Sequence, residues 1–329
     1  MGAMPFRIRI TLIVLGVLVA AVLILPLVWP VPPLEGTRPA RELAGPDATW
    51  IDAGPLSLHA RVEGPAAAEP PGVAFLHGFG SNLVSFAALQ DALADTRRTV
   101  AWDRPAFGLT ERVTSGWDEN PYAPGAQVGH VIAALDAAGI ERAVLVGHSA
   151  GGAIALQAAL RFPDRVAGLV LLSPAVYRGG GAPAWSRWAL YTPQLERIGP
   201  LLMRQLGGAS GERLLRSAYA DAERLRPEVL AAYRRATDVR AWDRALWELV
   251  QASREPRLEG RLGEVAMPAL VVTGTEDQIV PPEQTRRLAD ALPNARLIEL
   301  SDCGHVPQEE CAERLVREVR TWWEAALAP

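Results

Sequence analysis

The chain has little from which to build several common kinds of site. Of its 329 residues only two are cysteine, Cys303 and Cys311. That is too few for a disulfide framework, and no Cys/His cluster has zinc spacing. We expect the two as free thiols, with a pairing around the loop between them as the alternative. Positive charge is not in excess: 33 basic against 37 acidic residues leave a formal net charge of −4, which argues against a nucleic-acid partner. No internal repeat marks a solenoid. Histidine is also scarce, with His59, His77, His130, His148 and His305 the whole supply. What remains is ordinary globular composition, 49% hydrophobic and 21% charged, long enough for one large core and an inserted subdomain.

The first thirty residues depart from that composition. Positions 10–29 carry no charge and are dominated by Leu, Val, Ile and Ala, matching the roughly 20 residues a helix needs to cross a hydrocarbon core. Arg7 and Arg9 precede the run, and Glu35, Arg38 and Arg41 follow it. We therefore expect a cytoplasmic segment 1–9, a transmembrane anchor 10–29 with Trp29 at the far interface, and the rest of the chain on the non-cytoplasmic side. Pro26, Pro30, Pro32 and Pro33 are expected to end the span and begin a stiff, extended tether over 30–48. A cleaved signal peptide is the rival reading. Val19-Ala20-Ala21 offers a cleavage site, but Val22-Leu23-Ile24-Leu25 continues the apolar run beyond the length of such segments.

From Thr49 onward the pattern is that of a layered sheet. Thr49–Asp52 and Leu56–Val62 flank Ala53-Gly54-Pro55 and read as an antiparallel hairpin. Strands then alternate with helices: 73–76, 99–103, 143–146, 166–172, 269–273 and 295–300. Near-continuous apolar runs such as Leu169-Val170-Leu171-Leu172 indicate strands covered on both faces. The expected fold class is α/β, a doubly wound, mostly parallel sheet built from 49–174 and 263–329. Between them, over 175–262, the alternation stops. Helical patterns there are broken by Gly179-Gly180-Gly181, Gly199-Pro200 and Gly207-Gly208, with Trp185, Trp188, Trp242 and Trp247 expected to pack between helices.

The most informative segment is Gly147-His148-Ser149-Ala150-Gly151, between the apolar Ala143–Val146 and the small-residue stretch Gly152–Leu156. It reads as strand, sharp turn and helix with a serine at the apex. The flanking glycines remove side chains where strand and helix backbones would collide. A serine needs a histidine to take its proton, and that histidine needs a carboxylate to fix its tautomer. Only His305 follows Ser149 among the five histidines. Asp277 lies between them, and all three fall just past the carboxyl end of an expected strand, where open parallel sheets place their sites. Glu276 and Asp302 stand as alternative acids. His77-Gly78-Phe79-Gly80 follows another strand and offers the Phe79 amide, beside that of Ala150, for an oxyanion. His77 itself reads as structural, His148 as a filler of the turn, and His59 and His130 as ordinary surface or helix residues. Asp103–Gly108 reads as a structural turn near the site.

These segments together resemble the α/β-hydrolase fold superfamily, in its lid-bearing esterase, haloperoxidase and C–C hydrolase branches. The resemblance runs from about Thr49 to the end. It rests on His77-Gly78-Phe79-Gly80, Trp102–Gly108, Gly147–Gly152, Gly274-Thr275-Glu276-Asp277 and Cys303-Gly304-His305-Val306-Pro307. It implies a Ser149–Asp277–His305 triad, an oxyanion hole from Phe79 and Ala150, no cofactor, and a helical lid at 175–262. The serine separates the chain from the branches with an aspartate nucleophile. His148 and Val306 stand where the meta-cleavage C–C hydrolases usually carry asparagine and tryptophan. The expected activity is therefore cleavage of a small or medium apolar ester, thioester or related acyl substrate. A C–C hydrolase or perhydrolase-like enzyme on the same site, and a non-catalytic binding module, are the alternatives.

Overall fold

The computed structural model describes residues 5–177, 184–253 and 258–327. Eight strands form one sheet: β1 (Thr49–Ala53), β2 (Leu56–Glu63), β3 (Gly72–Leu76), β4 (Thr99–Trp102), β5 (Ala143–His148), β6 (Val166–Leu172), β7 (Ala269–Gly274) and β8 (Ala295–Leu300). Their spatial order is β1-β2-β4-β3-β5-β6-β7-β8. The first two are an antiparallel hairpin, closed by Gly54-Pro55 with Gly54 at φ 66°, a left-handed value that a short hairpin turn needs. From β4 to β8 every neighbouring pair is parallel.

Twelve α-helices accompany the sheet among the described residues: α1 (Phe6–Val28), α2 (Ala40–Ala44), α3 (Ala87–Ala94), α4 (Pro124–Ala137), α5 (Ala150–Arg161), α6 (Pro193–Arg204), α7 (Ala209–Arg216), α8 (Pro227–Arg234), α9 (Trp242–Ala252), α10 (Pro282–Ala291), α11 (Pro307–Glu310) and α12 (Ala312–Ala326). Every residue of β3, β5, β6 and β7 is buried, because both faces are covered. Alternate strand residues part accordingly. Ala74, Leu145, Leu169 and Val271 pack with α4, α5 and α10. Phe75, Val146, Val170 and Val272 pack with α3 and α12. At roughly 1.5–3 kcal/mol for each large apolar side chain buried, these two layers dominate the stability.

The order of the strands positions the site. The chain runs from β3 outward to β4, then returns to place β5 on the other side of β3. The carboxyl ends of β3 and β5 thus lie side by side at a topological switch point, where a crevice opens.

Between β6 and β7 the chain forms α6 to α9. Two sequence expectations change here and two more near the start of the chain. Gly199-Pro200 does not break a helix but lies buried inside α6, because Gly199 seats on the Trp247 ring of α9. Trp188 does not pack between helices and is 70% exposed. The segment 30–48 is not a free tether: Arg38 bridges to Val239, its amide donating to Asp238 and its carbonyl accepting from Arg240, and α2 buries Ala40 and Leu43. Nor does Pro26 end the first helix, which continues to Val28. Near a helix end one missing amide donor is tolerated, since few bonds depend on it. The Gly179-Gly180-Gly181 break and the side chain of Trp185 lie outside the described residues, whereas Gly207-Gly208 does separate α6 and its 3-10 extension from α7.

A Cβ at Gly199 would lie 2.2 Å from the Trp247 ring, which is 3% exposed. Alanine gains about 1 kcal/mol in helix propensity, but overpacking a fixed ring costs about 1–3 kcal/mol. Gly199→Ala is therefore expected to lower the thermal unfolding midpoint despite the better helix former, as scanning calorimetry of the detergent-solubilised chain would register.

Candidate active site

Ser149 sits between β5 and α5 with φ 51° and ψ −119°, a strained backbone for a residue with a side chain. Three bonds hold it there. Its amide donates to the Leu172 carbonyl (2.9 Å), and its own carbonyl accepts from Gly152 (3.0 Å) and Ala175 (3.1 Å). Glycine is required on both sides. A Cβ at Gly151 would lie 2.0 Å from the Leu76 carbonyl, and one at Gly147 2.6 Å from Gly152 Cα. Helix α5 therefore begins in backbone contact with the end of β3. Among the described residues no protein acceptor takes the amide of Ala150, the first residue of α5, or that of Phe79 in the loop after β3.

Asp277 follows β7. It is buried, and its Oδ1 accepts the Ile279 and Val280 amides at 2.9 Å each. His305 Nδ1 donates to its Oδ2 at 2.8 Å, which leaves Nε2 as the acceptor nitrogen of the ring. Glu276 is exposed one residue away, and Asp302 turns left-handed at φ 52° in an exposed position. The structure thus brings Asp277, not either alternative acid, to His305. Ser149, His305, Ala150 and Phe79 line one cavity of about 890 Å³. Its walls are largely apolar, from Phe107, Leu206, Leu215, Trp242, Leu246 and Val280, with Ser81 and Tyr233 as a polar patch.

The other histidines do more than fill space. His77 Nδ1 donates to the Gly78 carbonyl (2.8 Å) and its Nε2 accepts the Arg104 amide (2.8 Å). Both nitrogens are used by backbone, as a structural residue requires. Burial, and after it the Arg104 charge, lowers its pKa to about 3. His148 Nε2 donates to the His305 carbonyl at 2.8 Å, so it positions the loop that carries His305. Burial and the neighbouring His305 hold it neutral, well below the usual range. His59 is not an ordinary surface residue: its Nδ1 donates to Asp103 Oδ2 at 2.8 Å. Burial, the largest single influence, would raise the Asp103 pKa, but the His59 bond and charge, the neighbouring His77 and the Leu109 amide together outweigh it and hold the carboxyl below its usual range. Asp103 also accepts the Leu83 and Leu109 amides, fixing the turn that carries Phe107 against Phe79, their rings 5.3 Å apart.

Cys303 and Cys311 are not free thiols. They form a disulfide across the His305 loop, with Cα atoms 6.2 Å apart. Both are buried against the α12 layer, where the short helix α11 folds the chain back on itself.

Sequence reasoning missed a second set of residues entirely. Glu310 is buried and accepts from the Gly304 (2.7 Å), Ala220 (3.1 Å) and Asp221 (3.0 Å) amides. Glu309 takes hydrogen bonds from Ser85 (2.5 Å), Tyr233 (2.5 Å) and Tyr219, and Tyr233 also meets Ser81 at 2.8 Å. Burial raises the Glu309 pKa, and burial together with the Glu309 charge raises that of Tyr233. With the His305 amide donating to Ala218 (2.7 Å), the pair fastens the segment between α7 and α8 onto the His305 loop. Two adjacent acids just after His305 were the visible signal, but all of their partners except Gly304 lie 76 to 224 residues away.

Residues 71–312 match the model of the alpha/beta hydrolase fold family. A 2-hydroxymuconate semialdehyde hydrolase of Pseudomonas putida is 31% identical over 281 residues, covering 81% of this chain and 87% of that one. Among solved structures, an esterase from Thermogutta terrifontis aligns with a TM-score of 0.68 at 22% identity, over 85% of this chain and 99% of its own. The 2-hydroxy-6-oxo-6-phenylhexa-2,4-dienoate hydrolase of Rhodococcus sp. strain RHA1 aligns with a TM-score of 0.67 at 24% identity, over 84% and 98%. At those identities the two structures bear on the fold alone.

His130, buried in α4, is lowered to about 4 by burial and then by the Arg104 charge. The unfolded chain takes up a proton there near pH 6.5, where the native chain does not. Stability from this group is therefore full above about pH 6.5 and is lost as pH falls toward 4, at up to about 1.4 kcal/mol per pH unit. His130→Gln is expected to flatten the decline of the unfolding midpoint over that window, measured at constant ionic strength.

Proposed function

The chain belongs to the α/β-hydrolase fold family, and within it we propose a serine hydrolase with Ser149 as nucleophile, His305 as general base and Asp277 as its orienting carboxylate. The single observation that carries this reading is the buried 2.8 Å Asp277–His305 bond in the cavity that Ser149 shares. Ser149 Oγ attacks the substrate carbonyl as His305 Nε2 takes its proton. The tetrahedral oxyanion is held by the Phe79 and Ala150 amides, which are otherwise unused. Collapse expels the leaving group, which receives the proton from His305, and water repeats the sequence on the acyl-enzyme. Apolar walls of this extent suit a small or medium apolar acyl ester or thioester. The segment spanning α6 to α9 acts as the lid, since Leu206, Leu215, Trp242 and Leu246 from it close one side of the cavity.

A second reading, hydrolysis of a C–C bond in a dienol-ketone, is favoured by the named activity of the Pseudomonas putida relative. His148 and Val306 weigh for the ester.

The apolar helix α1, 23 residues long and buried nowhere, is read as an uncleaved anchor. Arg7 and Arg9 at its start support a cytoplasmic beginning. The Cys303–Cys311 disulfide supports an oxidising, non-cytoplasmic location for the remainder.

A fluorophosphonate is expected to label the protein once, and Ser149→Ala to abolish both label and turnover. Loss of the nucleophile in a serine protease costs about 10⁶ in kcat. Assays of an aryl-ester series beside a dienol-ketone would separate the two substrate readings. Labelling that survives Ser149→Ala would remove the assignment.

A further inference from the structure

Helix α6 does not only roof the cavity. It also lies against α1. Gln194 Nε2 donates to the Leu23 carbonyl at 3.0 Å, Arg197 to the Trp29 carbonyl at 3.2 Å, and Arg204 to the Pro32 carbonyl at 2.9 Å. Steps of three and seven residues put these donors on one side of α6. Beside that stripe runs a second, Leu195, Ile198 and Leu202, none of it buried and Leu202 49% exposed. Immediately upstream Trp188 is 70% exposed. Tyr191 ties its hydroxyl to the Gln251 carbonyl (2.8 Å) and leaves its ring outside.

The contact with α1 sets the depth of this surface. Helix α1 is about 35 Å long at 1.5 Å per residue, against a hydrocarbon core of about 30 Å. Leu23 lies only about 8 Å before the helix end. If α1 spans the bilayer, Gln194 and the apolar stripe next to it stand at the boundary between headgroups and acyl chains. There an exposed Trp, a Tyr ring and half-buried Leu and Ile are stabilised rather than penalised, and an arginine such as Arg197 can extend to the interface. A second attachment, the Arg38–Val239 bridge, limits rotation of the insertion about the anchor.

We propose that the Leu195–Ile198–Leu202 stripe of α6, with Trp188 and Tyr191, docks into the outer surface of the phospholipid bilayer beside the anchor. The inference rests on the anchor reading of α1. Its consequence concerns substrate. From α6 the chain passes directly into Leu206–Ala209, which line the cavity. The mouth then lies at the membrane surface and takes an amphiphilic acyl compound from the lipid phase rather than from water.

Both native cysteines are paired, so a single introduced thiol can be labelled. Leu202→Cys, Val17→Cys in α1 and Glu283→Cys on α10 would each carry an environment-sensitive fluorophore. The full-length proteins would be reconstituted in phosphatidylcholine–phosphatidylglycerol vesicles with doxyl-labelled acyl chains, and an unchanged thermal midpoint would verify folding. The proposal expects severalfold quenching at 202 by doxyl groups placed high on the chain, deep quenching at 17, and none at 283. Quenching at 17 with 202 behaving like 283 would overturn the docking and leave the anchor standing. No quenching at 17 would overturn the anchor reading and the docking with it. A blue shift at 202 without quenching would mean that another protein surface, such as a second copy, covers the stripe, which also overturns it.

Discussion

The site depends on one close approach of backbone to backbone, the start of α5 against the end of β3. No side chain fits there: the Cβ missing from Gly151 would overlap the Leu76 carbonyl at 2.0 Å. Because α5 can come so near, Ser149 is forced into its strained turn at the switch point, and Ser149, Ala150 and Phe79 come to line one cavity. The strain, of order 1–3 kcal/mol, is held by three backbone bonds, one to the end of β6, one to the loop after it and one to Gly152 in the first turn of α5. The proposed nucleophile and its oxyanion donors are thus one rigid unit, and catalysis by preorganised dipoles needs that rigidity.

Around this unit several buried polar side chains are tied to backbone groups that position the loops of the site. His77 spends both ring nitrogens on backbone and His148 spends Nε2 on the His305 carbonyl, and both stay neutral because they lie too deep to be charged cheaply. Asp103 stays ionised because two amides and His59 meet it. Glu309 and Glu310 extend the same logic outward. A buried carboxylate is costly unless its lone pairs are filled, and here they are filled by Ser85 and Gly304 together with Tyr219, Tyr233, Ala220 and Asp221 of the helical insertion. The insertion is thereby fixed to the loop that carries His305. Its other end is fixed to α1, so the cover of the cavity is braced between the proposed active site and the proposed anchor.

The kinship of the chain and its chemistry speak at different resolutions. The α/β-hydrolase fold extends across most of the length, and a relative 31% identical is named a 2-hydroxymuconate semialdehyde hydrolase. The proposed choice between ester and C–C bond rests on local features: His148 beside the serine, Val306 after the histidine, and the walls given by the insertion. That is also where an exposed stripe against an apolar helix gives this chain a feature of its own.

By itself the sequence determined the layered sheet, the strand–serine–helix turn, the order Ser149, Asp277, His305, and the apolar run over 10–29. Each is carried by local signals such as periodicity, glycine placement or run length, or by simple chain order, and so survives being read in one dimension. Only the tertiary structure decided which acid meets His305, because Glu276 and Asp277 differ by one residue and point apart. It paired Cys303 with Cys311 across the His305 loop, joined His59 to Asp103 across 44 residues, and laid 38–44 on the insertion. It also carried α6 intact through Gly199-Pro200, since the Trp247 ring fills the space that a side chain would have taken. These contacts join segments far apart in the chain. Their existence depends on the order of strands in the sheet, which no local pattern encodes.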